Sequence, residues 1–108
     1  MDIMKKLYLK KKLMVKEMIE ELKQEESKYR KIYVEKGDIL KGVIADVFVL
    51  AITKIERDGI EKTYKWFKGK RDGTNADTKL SSNLQNAYNL VVGKLWKQYK
   101  STRNESDG

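Results

Sequence analysis

Residues 39–57 constrain the fold more than any other part of the chain. On a helical period the apolar residues Leu40, Val43, Ile44, Val47, Phe48, Val49, Leu50, Ala51, Ile52 and Ile55 occupy most of the circumference, leaving a narrow stripe through Gly42, Asp46, Thr53 and Arg57. A helix apolar nearly all round is stable in water only when other elements cover it. The rest of the chain must therefore wrap it, which favours a compact bundle over a lone coiled coil. The most apolar stretch, 42–52, is 11 residues long and contains Asp46, against the ~20 apolar residues that span a bilayer. No membrane partner is expected.

The covering elements are expected to be helices as well. There is no proline, only seven glycines, and an abundance of Lys, Leu and Glu, all good helix formers. Strands are not expected. At 108 residues the chain has room for one domain with a modest core of roughly 20 side chains. The predicted fold is all-α, a compact four-helix bundle spanning residues 1–100, followed by a flexible polar tail over 101–108.

The first helix is predicted over residues 2–33, with Ile3, Leu7, Met14, Met18, Leu22, Tyr29 and Ile32 near a 3.6-residue repeat and Lys11 and Glu25 interrupting the stripe. A break is expected at Gly37, and Asp38 is suited to N-cap the buried second helix. Gly59 suits the residue after that helix. A short third helix over 60–68 aligns Ile60, Tyr64 and Phe67, with Trp66 to one side. Residues 69–80 are polar, hold two glycines and lack a period, so they read as a long loop. Ser82 and Gln85 have capping-box spacing at the start of a last helix running to about Tyr99, with Leu84, Ala87, Tyr88, Val91, Val92, Leu95 and Trp96 on its apolar stripe.

Missing residue types narrow the chemistry. Without cysteine there are no disulfides, thiolate nucleophiles or thiolate metal sites, and without histidine the commonest general base and transition-metal ligand are gone. No carboxylate pair has the spacing of a metal or acid–base site, and Gly69-Lys70-Arg71 lacks the glycine pattern of a phosphate loop. The sequence reads as a non-enzyme with no cofactor, no metal and no small-molecule substrate. The N-terminus has no uninterrupted apolar run of a signal peptide, so the expected location is the cytoplasm, or the nucleus if the host has one.

The chain has 24 Lys plus Arg against 16 Asp plus Glu, a net charge of +8 and a pI near 9.6. Such an excess favours polyanionic partners, and lysine, a weakly directional charge, favours phosphate over base contacts. Three clusters carry it: Lys5, Lys6, Lys10, Lys11 and Lys12; Lys62, Lys65, Lys68, Lys70 and Arg71; and Lys94, Lys97 and Lys100. In Lys62-Thr63-Tyr64-Lys65-Trp66-Phe67-Lys68-Gly69-Lys70-Arg71, aromatics interleave with cations, a composition that can stack bases while tracking a phosphate backbone. The candidate contacts to RNA or single-stranded DNA are Lys62, Lys65, Trp66, Lys68, Lys70, Arg71, Lys10, Lys11 and Lys12. Tyr64 and Phe67 can equally be core with the lysines merely solvated. Trp96 and Tyr99 read as core. Asp46 reads as a buried acid, as the partner of an arginine on another helix, or as solvent-facing or interface-facing.

Residues 58–70, Asp-Gly-Ile-Glu-Lys-Thr-Tyr-Lys-Trp-Phe-Lys-Gly-Lys, resemble the signature of the small helical subunit of type III-B CRISPR effector complexes, in which an Asn-Gly-Leu turn leads into a helix with Thr or Ala, Phe and a final Ser-x-Lys. Ala87-Tyr88-Asn89-Leu90 followed by Leu95-Trp96 is similar to that family's last helix. The chain departs from the pattern at Asp58, Lys65, Trp66 and Phe67 and lacks the proline common before the turn. The resemblance implies a non-catalytic subunit stacked along guide and target RNA. A second function class stands beside it: a protein-interaction module, such as a small viral or plasmid-encoded inhibitor or an assembly adaptor, whose first helix offers Met4, Met14 and Met18 to a partner or to a dimer mate.

Overall fold

Two breaks divide the first 73 residues into three helices, and each is made by a glycine at positive φ. Gly37 (φ +66°) donates its N–H to the Tyr33 carbonyl at 2.8 Å, closing α1 (Ile3–Lys36). Asp38 then caps α2 (Ile39–Asp58), its carboxylate accepting the Lys41 N–H at 3.3 Å. Gly59 (φ +89°) closes α2 and opens α3 (Ile60–Gly73), and α4 (Lys79–Asp107) completes the chain. A computed structural model describes residues 3–73 and 79–107, apart from the side chains of residues 7, 79–81 and 101–107. Among the described residues there is no strand.

The helices pack as two antiparallel hairpins, α1 with α2 and α3 with α4, and α2 touches all three others. Close approach in the first hairpin is permitted at Gly42, where a Cβ would lie 2.7 Å from the Tyr33 ring. Tyr29 stacks on Phe48 at 5.8 Å one turn further along. The core gathers Met18 and Leu22 of α1, Phe48 and Ile55 of α2, Phe67 of α3, and Val91 and Leu95 of α4, all fully buried or nearly so. Each such side chain contributes on the order of 1.5–3 kcal/mol of transfer free energy. The central, buried position expected for α2 is thus observed, and so is the all-α bundle.

Several expectations are corrected. α2 is not covered all round: Ile39, Val49 and Leu50 are exposed beside Asp46, Thr53 and Arg57, because three neighbours leave its outer face to solvent, while Gly42 of the supposed polar stripe is buried. Asp46, by contrast, meets two of its readings: it is exposed and pairs with Arg30 of α1 at 2.8 Å. α3 does not stop at 68. It continues to Gly73, so residues 69–73 of the expected loop are helical, 79–80 belong to α4, and only 74–78 lie outside the described residues. Ser82 is inside the first turn of α4 and not its cap, and the backbone of 101–107, read as tail, continues that helix. Met18 is fully buried and so cannot belong to a stripe offered to a partner, and Trp96, expected in the core, keeps 38% of its surface exposed.

The molecule measures 53 × 29 × 20 Å. A helix of 34 residues is about 51 Å long at 1.5 Å per residue, so α1 sets the long dimension. α2 has 20 residues and flanks only the C-terminal part of α1. The N-terminal part therefore reaches past α2.

Candidate nucleic-acid interface

Within α3 the aromatic–basic run is sorted by helical position. Ile60, Thr63, Tyr64 and Phe67 face the core, and the Thr63 hydroxyl is buried with no hydrogen-bond partner. Trp66 is half-buried on the flank. Its ring meets Phe67 edge-on at 4.9 Å and Tyr88 at 6.5 Å, and the ammonium of Lys54 from α2 sits 4.0 Å from its centroid, with that of Lys70 at 5.3 Å. These contacts stabilise Trp66 as packing, by roughly 0.5–2 kcal/mol per cation. They also occupy the ring that was expected to offer bases an open platform. Lys54 was not legible as a neighbour of Trp66, because it lies on another helix.

The other candidates of this segment are spread over its outer side. Lys65 pairs with Glu61 at 3.1 Å and Arg71 with Asp72 at 3.0 Å, so their charge is partly met locally. Lys68 is exposed. Arg71 also borders a polar groove with Gln85, Asn86 and Asn89 of α4.

Two of the candidates, from different helices, are brought together. Lys11 of α1 and Lys62 of α3 line one cleft of about 280 Å³, whose third wall is Tyr99 of α4, one residue before Lys100. Members of two of the three basic clusters thus meet at one end of the bundle, beside Tyr99 of α4. Tyr99 is held there by stacking on Tyr64 at 4.8 Å, with the Trp96 ring tilted against it at 5.9 Å. The cleft floor is apolar, through Met14, Val15 and Ile60, and its rim also carries Asp58 and Glu61. Hydrogen bonding from Arg57 holds the Asp58 carboxyl below the usual carboxylate range, helped by the nearby charges of Lys54 and Lys62.

The rest of the first cluster surrounds the projecting end of α1. Six lysines and no acidic residue lie between positions 3 and 16, and Lys10 and Lys12 are exposed there. Apolar side chains accompany them: Ile3 is 73% exposed, Met4 75% and Tyr8 64%, while Leu9 and Leu13 border a shallow groove with Lys12 and Lys16 on another side of the helix.

Among the described residues no group of His, Cys, Asp or Glu has the arrangement of a metal site. No described helix is long and apolar enough to cross a membrane. Comparison with family models, curated proteins and solved structures gives no match.

Proposed function

We propose that this protein is a non-catalytic helical module that binds single-stranded nucleic acid, chiefly through phosphates, at the end of the bundle where two of its basic clusters meet. The observation that carries this reading is the shared cleft of Lys11 and Lys62 beside Tyr99. Polyanion binding needs cations from separate helices on one surface, and here α1 and α3 supply them, with Tyr99 of α4 between. The stretch of α1 from 3 to 16, whose charged residues are all lysines, carries that surface about 12 Å beyond Lys11 at 1.5 Å per residue. The likeness of residues 58–70 to the small subunit of type III-B effectors supports RNA as the polymer, and a place in an RNA-guided complex is part of the proposal.

The test is fluorescence anisotropy with a labelled single-stranded RNA. Affinity is expected to fall by about 10²-fold or more between roughly 50 and 200 mM salt, as release of counterions from several phosphates requires. Lys11→Glu combined with Lys62→Glu should weaken binding by about tenfold or more at low salt, and Lys68→Glu by less. Affinity that stays flat with salt, or is indifferent to the first pair, overturns the reading.

A second reading, a protein-interaction module, is favoured by the exposed Ile3, Met4, Tyr8, Leu9 and Leu13, which phosphates have no use for. It makes α1 the contact element. Light scattering after nuclease treatment separates the two, since a self-associating protein stays oligomeric without nucleic acid.

A further inference from the structure

We propose that the cleft between α1, the α2–α3 turn and α4 receives a single unstacked nucleobase and selects one that carries an exocyclic amine; this rests on the nucleic-acid reading above. Charge dictates which part of a strand enters. Asp58 and Glu61 stand on the rim, so a phosphate inside the cleft would face two carboxylates, whereas Lys11 and Lys62 offer it better places at the mouth. The base is then the part that turns inward. A volume of about 280 Å³ has room for one heterocycle and its sugar.

The lining suits that occupant. Met14 and Ile60 supply an apolar floor, and Tyr99 supplies an aromatic wall whose position is set by its stack on Tyr64. Unstacked bases are ordinarily held by such surfaces and read at their Watson–Crick edges. Asp58 and Glu61 are acceptors only, and each is positioned from outside, Asp58 by Arg57 at 3.0 Å and Glu61 by Lys65 at 3.1 Å. A carboxylate offers about four lone-pair directions, so these pairings leave capacity for a donor from the ligand. Cytosine presents an amine where uracil presents a carbonyl oxygen. Against a carboxylate the first is a charge-assisted hydrogen bond and the second a repulsion.

The experiment compares three labelled single strands of about 12 nucleotides by anisotropy at neutral pH: oligocytidine, oligouridine and an abasic ribose-phosphate chain. Oligocytidine is expected to bind the full-length protein about tenfold more tightly than oligouridine. Asp58→Asn with Glu61→Gln should abolish that difference while binding of the abasic chain stays the same or strengthens. Met14→Trp, which fills the cleft, should bring oligocytidine down to the abasic level. Equal binding of all three strands overturns the cleft proposal and leaves phosphate binding standing, as does a preference for uridine. Failure to bind any of them overturns both.

Discussion

Thr63 shows most sharply what burial does to a single group. Its hydroxyl lies in the core without a hydrogen-bond partner, and the carbonyl of Gly59, four residues earlier, already receives the Thr63 N–H at 3.3 Å. Desolvation of that oxygen is uncompensated. Thr63→Val, close in shape and without the hydroxyl, should therefore raise stability by about 1 kcal/mol, read as a higher urea midpoint with unchanged slope. A lower midpoint would mean that the hydroxyl is satisfied in solution. The burial was half legible: Thr63 shares the helical period of Ile60, Tyr64 and Phe67, yet its polarity drew it into the exposed aromatic–basic run. Gly42 misled in the opposite way. It looked like part of a polar stripe, and only the approach of the Tyr33 ring shows why a residue without Cβ stands there.

Among the elements, α4 is bridged to α1 by the Lys94 ammonium. Lys94 reaches Glu21 at 3.5 Å and Glu25 at 3.4 Å, two carboxylates one helical turn apart that would otherwise repel. Burial pulls the Lys94 ammonium down, but Glu25 and Glu21 outweigh it and leave it above the ordinary lysine value. A raised folded-state value means that its stabilisation is complete below the unfolded lysine pKa, about 10.4, and is lost as pH climbs through the folded one. Lys94→Met should cost roughly 1 kcal/mol near neutrality, and the wild type should lose that advantage above about pH 10.5. Parallel alkaline unfolding profiles for the two proteins would contradict this.

The interiors of all four helices were legible from apolar period alone, and the caps at Gly37, Asp38 and Gly59 from residue type. The extension of α3 was not. Gly69 is exposed, with nothing within 4 Å of its missing Cβ, so it imposes only its intrinsic penalty of about 1 kcal/mol. The contact of Lys70 with Trp66 and the partial burial of Arg71 help hold the last turn against that penalty, and neither contact has a local sequence signature.

For the whole molecule, the sequence located three basic clusters without saying whether they meet. That depends on which helix ends the topology brings together. α1 and α4 run antiparallel, so Lys11 arrives beside Tyr99, and the α2–α3 turn delivers Lys62 to the same place. The surface proposed for binding thus centres on Lys11 and Lys62, two of the expected contacts, at the end of the bundle and not beside Trp66. The most direct measurement is a titration of the isotope-labelled protein with oligocytidine followed by backbone amide NMR. The account predicts that the largest shifts fall on Lys11, Met14, Gly59, Lys62 and Tyr99, with smaller ones on residues 3–10. Shifts confined to Lys65, Trp66 and Lys68, or no shifts at all, would contradict it.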